Sequence, residues 1–290
     1  MPSPESHSER PGGVLYVVAT PIGNLQDLSE RAQLVLSRVG LVAAEDTRHS
    51  GRLLQHLGLS KPMLALHDHN ERDRVVRILE ALKAGQDIAL ISDAGTPLIS
   101  DPGYVVVREV REAGFRVSPV PGPCALVAGV SAAGLPTDRF LFAGFLPAKR
   151  SGRRAALEEL REQPATLVFY ESPHRILALM EDLVEVMGGE RECVLGRELT
   201  KTFETFYGGT AQSVRESLEA DPNGARGEFV VMVHGAPPAG SQEAGVLDAD
   251  RLLSLLVAEL PVKKAARIVA DVSGLSKNEL YQRALALKDQ

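Results

Sequence analysis

The chain has 290 residues, 32 Lys and Arg against 38 Asp and Glu, a formal net charge of −6, two cysteines and no tryptophan. That length exceeds what one ordinary hydrophobic core serves, so two domains are expected. The acidic balance speaks against a general nucleic-acid binder, and the 4% aromatic content speaks against a platform for stacked bases.

Residues 1–12 read as a disordered tail. Met1 to Pro11 is polar and lacks the apolar centre of a signal peptide, which fits a cytoplasmic protein. Short β-branched runs follow at Val14–Ala19, Leu41–Ala44, Met63–Leu66, Ile88–Ile91 and Val117–Val120. Helical stretches lie between them at Leu28–Ser37, Glu71–Lys83 and Tyr104–Ala113. Strands separated by helices predict a parallel sheet covered on both faces. Asp101-Pro102 reads as a helix start, with Asp101 as N-cap and Pro102 at the first helical position, and Gly114 as the C-terminal glycine.

Each strand ends in a polar or Gly/Pro loop: Thr20–Asn24, Glu45–Arg48, His67–Glu71, Ser92–Pro97 and Pro121–Pro123. Ligands of open parallel sheets bind beyond the carboxyl ends of the strands, so these loops predict a small-molecule site. Ser92–Gly103 (SDAGTPLISDPG) is the most informative, being longer than the roughly 2–6 residues that such a connection needs. The phosphate-binding signatures GxGxxG and GxxxxGK[ST] are missing, which favours a nucleoside without phosphate, such as S-adenosylmethionine. His67, Asp68, His69 and Glu71 have no matching ligand cluster elsewhere, so no metal is expected.

The second half reads as strands Phe140–Phe145, Ala165–Tyr170, Cys193–Arg197, Thr202–Tyr207 and Phe229–Val233. Helices are expected at Ser151–Glu162, Pro173–Met187 and Ala211–Leu218, with Ser172 capping the second. Two successive strands without room for a helix predict a mixed sheet. The expected organisation is an α/β domain over 13–135, a second α/β domain over 136–235, a linker over 236–247 and a helical module over 248–290. Within the module, Pro261 opens the second helix and Ser276–Glu279 forms a capping box. Residues 251–290 carry +3 and the remainder −9, and a second basic knot comprises Lys149, Arg150, Arg153 and Arg154.

Together these motifs resemble one branch of the tetrapyrrole-methylase class, the bacterial small-subunit ribosomal RNA cytidine 2′-O-methyltransferases. The resemblance rests on Val14–Leu25, Ala44–Arg48, SDAGTPLISDPG, Gly144–Lys149, Phe169–Arg175, Arg197–Lys201, Gly227-Glu228, Lys263–Ala266 and Lys277–Tyr281, covering nearly the whole chain. It implies two α/β domains of the tetrapyrrole-methylase type, S-adenosyl-L-methionine between them, a homodimer, and 16S rRNA or the small ribosomal subunit as partner. Carried over residue by residue, the implied cofactor contacts are Pro21, Asp93, Ala94, Gly95, Thr96, Ser100, Cys124, Ala125, Leu199 and Gly227. Cys124 stands where the family pattern has Ser, which puts a side-chain hydrogen bond there in doubt.

In-line transfer to a ribose 2′-oxygen benefits from a general base. Asp46, Glu171 and Lys201 are the catalytic candidates, with Asp46 the first choice. RNA contacts are expected from Arg48, Lys149, Arg150, Arg153, Arg154, Lys263, Lys264 and Lys277. Two rival readings stand beside this one: a methylase of a tetrapyrrole or other small metabolite, and a non-enzymatic ribosome-binding or assembly factor.

Overall fold

A computed structural model of the chain describes residues 12–67, 71–237, 249–273 and 275–288. Asp68 and His69, and most of the expected tail and linker, lie outside the described residues. Two compact units, Met1–Gly235 and Ala236–Gln290, make up the chain.

The first unit opens with a five-stranded sheet of β1 (Val14–Val18), β2 (Leu41–Ala44), β3 (Met63–Ala65), β4 (Ile88–Ile91) and β5 (Arg116–Val120). Their order is β3-β2-β4-β1-β5 and every pairing is parallel. Every residue of β2 and β4 is buried, as a sheet covered on both faces demands. Leu28, Ala32 and Leu36 of α1 (Glu30–Arg38) and its approach, with Leu54 of α2 (Thr47–His56), cover one face. Val75, Ile78 and Leu82 of α3 (Glu71–Lys83), with Val106 and Val110 of α4 (Tyr104–Glu112), cover the other.

Helix α4 starts differently from the expectation. Its N-cap is Gly103, at φ 127°, and neither Asp101 nor Pro102 caps it. Its first amides are satisfied from another helix instead. The buried Glu71 carboxylate accepts from Gly103 N at 2.5 Å and from Val105 N at 3.0 Å. A carboxylate at a helix N-terminus also meets the positive end of the helix dipole. With that role filled by α3, Asp101 is released to face the cavity described below.

The second sheet comprises β6 (Phe140–Phe145), β7 (Thr166–Glu171), β8 (Glu192–Arg197), β9 (Thr205–Thr210) and β10 (Phe229–Val233), in the order β6-β7-β10-β8-β9. The β6–β7 pair is parallel and the others antiparallel, so the sheet is mixed. Helices α6 (Arg150–Leu160), α7 (Ile176–Met187) and α8 (Ala211–Ala220) bury one face around Phe169 and Met180. The other face packs on α5 (Ala125–Ala132), through Leu126 and Val130 against Val168, Val230 and Met232. Thus α5 precedes residue 135 in sequence but serves the second sheet.

Two further local expectations shift. The strand expected at Thr202–Tyr207 begins at Thr205 because β8 pairs Arg197 with Thr205 and Glu192 with Thr210, leaving 198–204 as turns. Ser172 does not cap α7. The helix opens at Ile176, and the Ser172 carbonyl accepts from the amides of Arg175 and Ile176 at 3.1 Å each.

In the second unit, α9 (Ala249–Glu259), α10 (Val262–Ser273) and α11 (Lys277–Lys288) enclose a small core of Leu253, Val262, Ala265, Ala266, Val269, Leu280 and Ala284. On α10 the exposed Lys263 and Lys264 stand against the buried Val262, Ala265, Ala266 and Val269, which makes that helix one-sided.

Candidate active site

Strands β1 and β4 are neighbours, yet the chain leaves β1 for α1 on one face and leaves β4 for α4 on the other. This divergence is the topological switch point of the sheet, the place where open α/β sheets bind ligands. Here it is fastened. Thr20 N donates to Gly95 O at 2.9 Å and Gly95 N returns a bond to Thr20 O at 3.0 Å. Thr96 Oγ1 donates to Pro123 O at 2.9 Å, joining the loop after β4 to the loop after β5.

A cavity of about 300 Å³ opens on this wall, within the range of small-molecule sites. Its apolar lining includes Ile22, Ile99, Phe145, Leu199 and Val230, and its polar lining Thr96, Ser100, Asp101, Glu171 and Glu228. The loops around it carry strain. Among the described residues, non-glycine positions with positive φ are Leu98 (72°), Ser100 (66°), Glu198 (51°) and Thr200 (66°). All four fall in the segment after β4 and the turn after β8, the two that frame the cavity. Such conformations cost roughly 1–3 kcal/mol each and gather at functional sites.

The cavity brings together Ala94, Gly95, Thr96, Ser100, Cys124, Ala125 and Leu199 from the expected cofactor set, and Glu171 and Lys201 from the catalytic set. Pro21 and Asp93 line an adjoining cavity instead. Asp93 Oδ1 accepts the Asp46 amide at 3.0 Å, tying the loop after β4 to the start of α2. Gly227, at φ 85°, stands beside the cavity-lining Glu228, and a Cβ there would press on the Glu198 side chain.

Cys124 is the N-cap of α5 and makes no side-chain cap bond, as the replacement of Ser implied. The Tyr170 hydroxyl does that work from β7, accepting the Leu126 amide at 2.9 Å. Burial, and then the neighbouring Cys124, raise the Tyr170 pKa, so this phenol stays protonated.

Glu171 is buried at the end of β7. Its Oε1 accepts from Ser172 N at 2.7 Å and its Oε2 lies 3.1 Å from Arg175 Nη2, in an ion pair without hydrogen-bond geometry. Lys201 Nζ bonds Glu198 Oε1 and Glu228 Oε2, each at 2.8 Å. Burial opposes the charge on Lys201, but those two bonds outweigh it and raise its pKa. Lys201 is therefore a fixed cation and not a base.

Asp46 is the N-cap of α2 and does not line the cavity. Its hydrogen bonds to the Arg48 side chain and amide hold its pKa down at about 2, which makes it a weak base near neutrality. Asp101, which the sequence assigned to capping, is the carboxyl better suited to take a proton. It lines the cavity, and burial followed by the charge of Asp93 raises its pKa against the Ser92 hydrogen bond. Its signal in the sequence was its place in the SDAGTPLISDPG loop, masked by the capping motif.

The three arginines of the basic knot are engaged in ion pairs, and one of them is buried. Arg153 is buried, with Nε donating to the buried Asp182 at 2.7 Å. Arg150 bonds the same carboxylate at 3.0 Å and Glu185 at 3.1 Å, and Arg154 pairs with Glu185. These three arginines hold α6 to α7, which removes Arg153 altogether as an RNA contact. Lys149, Lys263, Lys264 and Lys277 are exposed, and Arg48 is exposed while paired with Asp46. Among the described residues no cluster of three or more His, Cys, Asp or Glu could hold a metal ion, and no helix is long and apolar enough to cross a membrane.

The family model of tetrapyrrole (corrin/porphyrin) methylases matches residues 14–215, which hold the first sheet and every strand of the second except β10. The chain belongs to that family. S-adenosylmethionine is the methyl donor of these methylases, and the cavity suits it: the apolar lining fits a purine, and Glu171 Oε2 is a buried acceptor still lacking a hydrogen bond. A second model, the RsmI C-terminal HTH domain, matches residues 243–288. Within the methylase family the chain is similar to curated proteins named ribosomal RNA small subunit methyltransferase I. The protein of that name from Pseudomonas aeruginosa is 56% identical over 274 residues, covering 94% of this chain and 97% of the relative. The one from Haemophilus influenzae is 54% identical over 274 residues, with the same coverage. Among solved folds, uroporphyrin-III C-methyltransferase from Thermus thermophilus, complexed with S-adenyl homocysteine, aligns with a TM-score of 0.53 at 18% identity. The alignment covers 77% of this chain and 97% of that one, and it shows the shared methylase fold.

Proposed function

We propose that this chain transfers the methyl group of S-adenosylmethionine to the ribose 2′-oxygen of a cytidine in 16S rRNA. The support is the near-full-length likeness to small-subunit rRNA methyltransferases, joined to a cavity at the switch point whose lining suits a nucleoside. S-adenosylmethionine supplies an electrophilic methyl group on a sulfonium. The chain's own residues do the rest. Ala94–Thr96, Ser100, Cys124, Ala125 and Leu199 shape the nucleoside pocket. The trio Glu198, Lys201 and Glu228 has a formal charge of −1 and closes one side of it, so a cationic ligand is not repelled. Glu171, held by Ser172 and Arg175, adds a carboxylate to the pocket wall, and Asp101 receives the proton of the acceptor hydroxyl.

The exposed lysines Lys149, Lys263, Lys264 and Lys277 supply the phosphate contacts in this reading, and the soluble cytoplasm is where it operates. A homodimer belongs to the same proposal. Edge strand β6 leaves Phe140 45% and Leu141 37% exposed outside the cavity, and a partner chain would cover them.

The test is incubation of the purified chain with radiolabelled S-adenosylmethionine and small ribosomal subunits, free 16S rRNA or a uroporphyrinogen, followed by nucleotide mapping. Label on a cytidine 2′-O-methyl is expected. Label on the tetrapyrrole alone supports the small-metabolite reading, and no label with no cofactor binding supports the non-enzymatic one.

A further inference from the structure

The adjoining cavity, about 220 Å³, lies on the far side of the Thr20–Gly95 bridge. Its floor is the loop residues Thr20, Pro21, Ser92 and Asp93, and its roof is one face of α2. Positions 49, 52, 53 and 56 of that helix are spaced by three and four, so His49, Arg52, Leu53 and His56 project to one side. The two cavities use consecutive residues of the same two loops: Pro21 against Ile22, and Asp93 against Ala94. A ligand in one is therefore a neighbour of a ligand in the other.

The chemistry of this second cavity differs from that of the first. Arg52, His49 and His56 are all exposed on this one face of α2, a roof of side chains able to bind an anion, while Asp93 adds a carboxylate to the floor. Pro21, Leu25 and Leu53 add an apolar patch that a ribose or base can cover. Ser50 also lines the cavity, 1% exposed, and its buried hydroxyl has no hydrogen-bond partner. A buried polar group left unpaired is costly, and a bound group that completes it recovers that cost. The volume is below the range for a free drug-sized ligand, which suits one unit of a longer polymer.

We infer that this cavity holds a nucleotide of the single-stranded acceptor RNA beside the methylated position, with its phosphate on Arg52, His49 and His56 and its sugar edge toward Ser50. The inference rests on the proposed function and names how the substrate strand is held. Lysines on other surfaces attract RNA at long range, whereas this site fixes its register against the donor cavity.

The test uses the full chain and a short single-stranded RNA probe. Diethylpyrocarbonate modification, mapped by peptide mass, reports on His49 and His56. The RNA is expected to protect both, and inorganic phosphate at equal concentration is not. Equal protection by phosphate alone would reduce the cavity to a free-anion site and overturn the inference, as would no protection by RNA. The double variant Arg52→Gln, His56→Gln is expected to bind S-adenosylmethionine within about twofold of the parent and RNA at least about tenfold more weakly. Its salt slope should fall by roughly 0.7–0.9 per lost phosphate contact. Unchanged RNA affinity and slope in a folded double variant would overturn it as well. Methyl transfer by the parent chain, measured separately, decides the proposed function, so the two fail independently.

Discussion

Gly23 and Lys201 are in contact across the active site: the stem of Lys201, from the turn after β8, lies where a side chain at position 23 would begin. A Cβ on Gly23 would overlap Lys201 Cγ and stand 3.0 Å from its Cε. The loop after β1 is thus shaped to accept a residue from the second sheet, and through Lys201 it also meets Glu198 and Glu228. Gly23→Ala is expected to displace Lys201 and weaken S-adenosylmethionine binding about tenfold, with the loss of stability confined to about 1–3 kcal/mol. Calorimetric titration and thermal unfolding measure the two. Native cofactor affinity in this variant would mean that Lys201 does not shape the pocket.

Arg153 and Asp182 form a buried pair, with side chains 5% and 0% exposed. Removing one partner strands a charge, so Asp182→Ala is expected to cost about 3–5 kcal/mol. Arg154→Ala, at the exposed end of the same network, should cost about 1 kcal/mol or less. Urea unfolding of the two variants gives the comparison. Similar small losses in both would show that Asp182 is not the anchor between α6 and α7.

Glu71 replaces a local cap for α4. Glu71→Ala leaves two amides at Gly103 and Val105 without their acceptor, for an expected cost of about 1–3 kcal/mol. Hydrogen exchange at Val105 should accelerate in the variant. Unaltered exchange there would indicate that water or Asp101 takes over the cap.

Asp46 and Asp101 titrate in opposite directions. Asp46 is lowered from 3.8 to about 2, so its pairing with Arg48 is complete above the ordinary carboxyl range and is lost only as the pH falls through about 2. Carbon-detected NMR should find that midpoint, and Arg48→Ala should return it toward 3.8. Methyl transfer by Asp46→Asn is expected to remain within about threefold of the parent, since Asn also caps a helix. A loss of several hundredfold would restore Asp46 as the base.

Asp101 is raised, so its ionised form is lost at a higher pH than that of a free aspartate. As proton acceptor it gives the kcat profile an acidic limb above the usual carboxyl range. Asp101→Asn should lower kcat by about 10²–10⁴ and remove that limb while leaving cofactor affinity near native. Persistence of the limb in the variant would assign it to another group.

Ten strands and the main helices of both sheets were legible from the sequence, because buried β-branched runs and apolar periodicity are local properties. So was the place of a cavity beyond the carboxyl ends of the parallel strands, where open α/β sheets bind ligands. Helix α2 was not, because its first residues, Thr47 and Arg48, are polar and fell in the loop read over Glu45–Arg48, and α5 was not, because its nearly all-apolar octet has little periodicity. Nor was the division of labour among charged residues. Asp46 and Asp101 are both loop aspartates after parallel strands, and Lys149 and Arg153 belong to one basic run. Arg48 pins Asp46, Glu71 frees Asp101, and Asp182 draws Arg153 inside while Lys149 stays in solvent. The sequence determined the fold class and the sheet edge at which the cavity opens. Which carboxyl stays a weak base and which cation is free were decided by partners from 2 to 32 positions away, because electrostatic interaction depends on distance in space and on burial.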